Sequence, residues 1–249
     1  MINTYNESDL HAALKKIYAL ESGGDVEARL GDTPWICDII APNGDIIEIQ
    51  TANLSALTGK AAHILDTGRR LKIVHPVASV KWIETLAADG TLLRRKKSPK
   101  KATLLDSLRG MTRICPLLMH ENCELEILSC EITETRLETE GPSQLANKSR
   151  RHLRNWIPAG KRLERIIARE RLASRADWET LLPASLRSSD ESGVFPSFRA
   201  VELKNALEDE LGTKAASKAW LMIWILQKMG IIEAGETRGR SRFYRLSGR

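Results

Sequence analysis

The chain has 249 residues, 42% of them hydrophobic and 28% charged, so it can bury a substantial core and divide into two modest domains. The polar N-terminus does not resemble a secretory signal, and the longest apolar run, residues 219–226, is too short to cross a bilayer. We therefore expect a cytoplasmic protein.

The net charge of +6 is divided unevenly, with −3 in residues 1–140 and +9 in residues 141–249. A basic C-terminal half suggests a polyanionic partner, most commonly nucleic acid, although a solvated basic surface gives the same composition. The four cysteines have neither the paired spacing of a zinc site nor the density of a disulfide scaffold. Buried free thiols are predicted.

The N-terminal segment alternates helical and strand patterns. A first helix is predicted from Asp9 to about Leu20, after the capping candidate Ser8 and before Gly23. Later elements are a strand at 25–32, a hairpin at 35–41 and 45–51, a helix at 53–65, strands at 71–77, 80–86 and 91–95, helical signals at 103–119 and a strand at 124–133. This order predicts an α/β domain over residues 1–140, with a mixed sheet flanked by helices.

The hairpin contains two carboxylates inside apolar runs. Pro42 favours a three-residue turn with Gly44 in the left-handed region, and that turn places Asp38 directly across from Glu48, with Gln50 on the same face. Like charges at such positions are destabilising unless something neutralises them. A Mg²⁺ ion, which prefers oxygen ligands, would do so; an ion pair with Lys60 or an arginine is the alternative.

The order helix, strand, Asp-bearing strand, short turn, strand ending in Glu-x-Gln and helix resembles the core of the PD-(D/E)XK, or restriction-endonuclease-like, superfamily over residues 8–77. The resemblance implies a metal, Mg²⁺ or Mn²⁺, held by Asp38, Glu48 and the carbonyl of Ile49. Gln50 stands where the family usually has lysine, and Lys60 stands where some members carry it instead. The further acid of many members would be Glu27 or Glu21. Because a neutral amide can replace a lysine only in part, a non-cleaving member also fits.

A cationic run follows the predicted strand at 91–95. Its six charged residues are Arg94, Arg95, Lys96, Lys97, Lys100 and Lys101. Such a run can contact successive phosphates, whereas the alternative is a solvated basic loop. A second candidate patch consists of Arg150, Arg151 and Arg154, within a predicted basic helical linker at 141–190.

Residues 191–249 read as a helix at 199–211, a turn, a helix at 214–229 and two strands around a basic turn, an order that resembles winged-helix domains. In that resemblance Thr213 caps the second helix. Its DNA-contacting candidates are Lys214, Ser217 and Lys218 on the helix and Arg238, Arg240 and Arg242 in the wing. The apolar residues Trp220, Met222, Trp224 and Leu226 are predicted to lie in the core. Winged helices also serve as protein-interaction modules, so that alternative stays open.

The resulting expectation is a metal-dependent DNA endonuclease, or a protein derived from one, with a winged helix that aids DNA binding. The alternative is a non-catalytic DNA-binding regulator with a degenerate nuclease-like sensing domain. The chain also resembles uncharacterised bacterial proteins that join such a core to a C-terminal winged helix. A homodimer is compatible with either function.

Overall fold

The computed structural model describes residues 8–144, 153–189 and 194–248. The helices are α1 Asp9–Ser22, α2 Thr58–Asp66, α3 Leu104–Met111, α4 Arg175–Glu179, α5 Ala184–Arg187, α6 Ala200–Leu211, α7 Thr213–Ala216 and α8 Ala219–Lys228. The strands are β1 Asp25–Arg29, β2 Ile36–Ile40, β3 Ile46–Ile49, β4 Leu71–Leu86, β5 Leu92–Lys97, β6 Cys123–Gln144, β7 Leu153–Leu172, β8 Phe198–Arg199, β9 Ile232–Arg238 and β10 Ser241–Leu246. Short 3₁₀ turns occupy Leu54–Leu57 and Leu117–Met119.

The predicted mixed sheet flanked by helices is confirmed. Seven strands form one sheet in the order β1-β2-β3-β4-β6-β7, and β5 also pairs with β4. β1 and β2 are antiparallel, as are β4 and β5, whereas β3 and β4 are parallel, with Ile46 opposite Leu71 and Ile49 opposite Val74. A parallel pair needs a crossover connection, which α2 supplies between β3 and β4.

The ends of α1 follow from its sequence. The Ser8 side chain accepts a hydrogen bond from the backbone N–H of His11, as an N-cap should. At the other end Gly23 adopts a left-handed conformation with φ of 65°, and its N–H donates to the carbonyl of Ala19. Leu14 and Tyr18 are buried on the inner face of the helix. Both predicted helix boundaries are therefore confirmed to within two residues.

The chain folds into two compact units. The first consists of residues 1–43, 76–103 and 128–170, and the second of residues 44–75, 104–127 and 171–249. Ile39 and Cys37 on β2 are fully buried in the first unit, and Ile46, Leu54 and Ile64 are fully buried in the second. Both units thus enclose apolar residues that the sequence predicted for helix and strand faces.

Two secondary-structure predictions were wrong. Residues 71–77 and 80–86 form one continuous strand, β4, because Pro76 does not interrupt it. The predicted helical linker at 141–190 contains the long strand β7 instead, and β6 extends as far as Gln144. Partners on β6 hold β7 in the sheet, since Thr133 Oγ1 donates to Glu164 at 2.6 Å and Arg165 pairs with Glu131 at 2.7 Å. Tertiary pairing has overridden local helix propensity.

The C-terminal elements form a three-stranded sheet in the order β8-β10-β9. Along the chain, α6, α7 and α8 lie between β8 and β9. The predicted helix at 214–229 is broken at Ser217 and Lys218 into α7 and α8. Thr213 does not cap a helix: Gly212 precedes α7, and the Thr213 hydroxyl donates to Glu208 at 2.9 Å. The order helix, turn, helix and two strands is observed as predicted.

The prediction that four apolar residues of α8 lie in the core was wrong for two of them. Met222 and Leu226 are fully buried, as expected, but Trp220 is 69% exposed and Trp224 is 42% exposed. Trp220 and Trp224 therefore lie on the solvent side of the helix rather than in the core.

Within the described ranges, no helix is long and apolar enough to cross a membrane.

Candidate functional site

The turn between β2 and β3 has the predicted left-handed glycine. Gly44 adopts φ of 86°, a conformation that costs a residue with a side chain more than it costs glycine. β3 then runs through the interior of the second unit, so Glu48 is only 4% exposed, between the buried residues Ile47 and Ile49. A carboxylate in such surroundings requires a partner.

Lys60 on α2 is that partner. Its Nζ lies 2.5 Å from Glu48 Oε1, and the two side chains are 11% and 5% exposed. The crossover from β3 through α2 places them together, because α2 returns over the strand that it follows. A lysine from the next helix thus reaches the glutamate of β3. The contact is compatible with both sequence interpretations, a family lysine carried on the next helix and a plain ion pair.

Gln50 directly follows β3, and hydrogen bonds hold both its backbone and its side chain. Its backbone N–H donates to Val74 at 2.8 Å, and its side-chain amide donates to the carbonyl of Asn53 at 2.8 Å. The carbonyl of Gln50 lies 2.5 Å from Nδ1 of the buried His75 on β4, so that nitrogen must carry the proton. Burial lowers the pKa of His75, against the opposing effect of this hydrogen bond. The imidazole is therefore a neutral donor that helps to position Gln50.

The acids of the first unit also have basic neighbours. Asp38 on β2 lies 3.3 Å from His11 Nε2, and Glu27 on β1 lies 2.8 Å from Lys15 Nζ. His11 and Lys15 are four residues apart on α1 and so share a face. The i, i+4 spacing of these two basic residues is visible in the sequence and would have placed them on one helix face. Glu21, the other candidate acid, forms a bidentate pair with Arg169 at 2.6 and 2.8 Å.

Glu27 has an unusual backbone. Its φ is 52°. Among the residues that the structure describes, Glu27 is the one non-glycine residue with a positive φ. β1 and β2 pair on both sides of it, in a register that places Glu27 opposite Asp38. A bulky residue in the left-handed region is strained, and such strain is concentrated at functional positions. The two predicted site acids of the first unit are therefore cross-strand neighbours.

The part of the chain that the structure describes contains no group of three or more His, Cys, Asp and Glu side chains positioned to hold a metal ion. Glu48 belongs to the second unit, whereas Asp38 and Glu27 belong to the first. Each of the three carboxylates has a basic side chain beside it: Lys60 for Glu48, Lys15 for Glu27, and His11, which carries charge only when protonated, for Asp38. For Glu48, Lys60 thus supplies the charge compensation that the sequence alone also allowed a metal to supply.

The prediction that the cysteines are buried free thiols is confirmed. All four cysteines are buried free thiols. Burial raises the pKa of Cys123 to about 12 and that of Cys130 to about 11, so both remain protonated at neutral pH.

The cationic run after residue 91 is mainly a strand. β5 is exposed at every position, and side chains alternate between its two faces. Arg95 and Lys97 share a face on which both lie over the ring of Trp82, at 4.8 and 5.8 Å. Arg94 and Lys96 belong to the opposite face and, within the described residues, form no ion pair. The six cations thus do not form one continuous row; Lys100 and Lys101 follow in the loop.

Asp106 on α3 contacts both lysines that were predicted to face DNA. Lys214 Nζ lies 2.6 Å from Asp106 Oδ2, and Lys218 Nζ lies 3.9 Å from Oδ1. The hydroxyl of Ser217 donates to the carbonyl of Lys214 at 2.7 Å. The residues predicted to contact DNA from this helix are therefore engaged within the chain. No local pattern predicts this engagement, because Asp106 is 108 residues from Lys214.

The segment that the sequence predicts as a wing forms the β9–β10 hairpin. Arg238 pairs with Glu236 and lies 5.3 Å from the ring of Phe243. Arg240 in the turn and Arg242 on β10 are exposed and form no ion pair with the described residues. Of the second basic patch, Arg154 is exposed on β7, while Arg150 and Arg151 lie outside the described residues.

Comparison with known proteins gives a family without an assigned activity. Residues 8–173 match a family described as "Domain of unknown function (DUF8091)". A relative described as "Uncharacterized protein", from Treponema pallidum (strain Nichols), is 35% identical over 127 residues, which cover 51% of this chain and 49% of that protein. The chain thus spans about half the length of this relative. No solved structure matches it significantly.

Proposed function

We propose that this chain, which belongs to the DUF8091 family, is a metal-dependent DNA endonuclease or a protein derived from one, with a C-terminal winged helix that aids DNA binding. The observation that carries the proposal is the pair of Glu48 and Lys60 on consecutive elements, with Nζ 2.5 Å from Oε1. The resemblance to PD-(D/E)XK nucleases requires a carboxylate on this strand and allows the lysine to come from the following helix.

The order of elements supports the same fold. Residues 9–86 run helix, three strands, helix and strand, and the last strand is parallel to the third. This is the order on which the resemblance rests. The C-terminal helices and hairpin, with their sheet order β8-β10-β9, support a winged helix in the same way. Arg240 and Arg242, both exposed on the hairpin, would contact phosphates.

The donor chemistry fits a hydrated Mg²⁺ or Mn²⁺ ion. Carboxylate and carbonyl oxygens are its preferred ligands, and one or two carboxylates suffice because the ion retains waters. Within the second unit, Glu48 and the carbonyl of Ile49 would hold it, which requires Lys60 to yield the carboxylate. A bound ion would supply polarisation of the scissile phosphate and a lower pKa for water.

The residues of the chain then have distinct roles. Lys60, released from Glu48, would stabilise negative charge on the phosphate, because it is a buried point charge beside the acid. Gln50 would orient water through its amide, and His75 would hold the Gln50 backbone in place. Arg94 and Lys96, which form no ion pair with the described residues, would bind the DNA backbone.

Two observations favour the second candidate function, a non-catalytic DNA-binding regulator. The Gln50 amide is already bonded to Asn53, and Glu48 is already neutralised by Lys60. A site whose charges are balanced within the protein can persist without a metal. A regulator should bind DNA equally well in EDTA, and no divalent ion should raise its melting temperature.

A cleavage screen tests both functions. The purified protein is incubated with linear, branched and single-stranded DNA in Mg²⁺, Mn²⁺ or EDTA, beside Asp38→Ala, Glu48→Ala and the exposed control Asp32→Ala. The endonuclease proposal expects metal-dependent cleavage that only the first two variants lose while remaining folded. Full cleavage by both of them would refute it. Absence of cleavage, combined with DNA binding that EDTA does not change, would establish the regulator instead.

A further inference from the structure

The solvent side of α8 carries two large aromatic rings. Trp220 and Trp224 are 69% and 42% exposed, while Met222, Ile223 and Leu226 cover the buried side of the same helix. Residues four apart on a helix are neighbours on its surface, with Cβ atoms about 5–6 Å apart. Lys228 continues the row, with its Nζ 5.8 Å from the centre of the Trp224 ring. We call Trp220, Trp224 and Lys228 the indole row.

From this geometry we infer that the indole row binds single-stranded nucleic acid by stacking bases on Trp220 and Trp224. The inference rests on the proposed function, since it specifies the substrate class of a nucleic-acid-binding winged helix. Exposed rings bordered by cations suit single strands, because every base has a π-face while the cations follow the phosphates. In duplex DNA the base faces are covered by their neighbours.

The neighbouring side chains argue against reading of base edges in a duplex groove. Such reading needs hydrogen-bonding groups that point outward. Lys214 and Lys218 are engaged with Asp106, and the Ser217 hydroxyl is bonded to the backbone. An indole offers only one donor, at its edge. The helix therefore presents ring faces to a ligand rather than a pattern of donors and acceptors.

The charge around the indole row favours a polyanion over a second copy of the chain. A stable protein interface buries about 800 Å² on each partner, whereas the large apolar residues that α8 exposes are two indoles. Lys228 lies at one end of the row, Lys218 precedes it, and residues 191–249, with ten Lys+Arg and seven Asp+Glu, carry a net charge of +3. Two copies meeting through this row would bring like charges together, whereas a phosphate backbone would neutralise them.

The test measures binding without cleavage. Fluorescence anisotropy of labelled oligo(dT) and of a duplex of equal length is recorded in EDTA with the full-length protein. Each of Trp220→Ala and Trp224→Ala should weaken oligo(dT) binding roughly 5- to 150-fold, the range of one lost stacking contact. The matching Phe variants retain a ring face and should stay within about threefold of the unchanged protein, as should Trp35→Ala, which removes an exposed indole from the first unit.

Oligo(dT) binding that is absent, or unchanged in both Ala variants, overturns the inference. So does a preference for the duplex, or a dimer that dissociates in the Ala variants while oligo(dT) binding is unchanged, since that result would make the row a protein interface. Failure of this inference and failure of the nuclease proposal give different experimental results. A protein that cuts nothing can still need both indoles to bind oligo(dT), and a protein that cuts DNA can bind it without them.

Discussion

Replacement of Lys60 by methionine should strongly destabilise the second unit. Lys60 and Glu48 are 11% and 5% exposed, and no bulk water can replace the lost cation around Glu48. Removal of one partner from a buried ion pair costs about 3–5 kcal/mol, because it leaves an uncompensated charge. At about 2–4 °C for each kcal/mol in a protein of this size, the melting temperature should fall by roughly 6–20 °C.

The double variant Glu48→Gln/Lys60→Met should recover most of this loss. With both charges gone, neither side chain bears a desolvation penalty, and replacement of a whole buried pair is often neutral. The coupling free energy of the double-mutant cycle should therefore be about 3 kcal/mol or more. Differential scanning fluorimetry measures all four proteins. Lys16→Met, at an exposed position on α1, is the control and should shift the melting temperature by less than about 2 °C.

Melting temperatures measured in high salt and with Mg²⁺ test the buried pair further. A buried pair is poorly screened, so the loss in Lys60→Met should persist in 1 M salt, where the Debye length is about 3 Å. Mg²⁺ should raise the melting temperature of Lys60→Met more than that of the unchanged protein, because it can take the place of the missing cation. A Lys60→Met melting temperature within 2 °C of the unchanged protein would refute the role of the pair. Absence of any Mg²⁺ effect on either protein would count against the metal site.

Two further outcomes are expected. Asp106→Asn should raise DNA affinity by up to about fivefold, with little change in melting temperature, because it releases Lys214 and Lys218 from a partly exposed carboxylate. Unchanged affinity in a titration at low salt would contradict this. Stability should decline as the pH falls below about 6.5, because burial lowers the pKa of folded His75 and the unfolded chain then binds more protons. His75→Asn should show a smaller difference in melting temperature between pH 7.5 and pH 5, and an equal difference would contradict this assignment.

Local interactions made much of the N-terminal fold predictable. Ser8 caps α1, Gly23 ends it and Gly44 makes the turn before β3, and each acts on a backbone within a few residues of itself. Alternation of apolar residues also located the central strands. The carboxylates Asp38 and Glu48 were conspicuous for the same reason, since they interrupt apolar strand patterns. Their partners His11 and Lys60 come from neighbouring helices, and the sequence pattern indicates only Lys60 as a partner.

The amino-acid sequence by itself determined where most helices and strands begin, which acids lie within the sheet and where positive charge accumulates. Only the tertiary structure decided that residues 153–172 form a strand, that Asp106 holds Lys214 and that Trp220 faces solvent. The physical reason is the separation of the partners. Arg165 meets Glu131 across 34 residues and Lys214 meets Asp106 across 108, so neither contact leaves a periodic trace in the chain. Local sequence specifies conformation, whereas packing between distant segments decides which charges and rings remain available to a ligand.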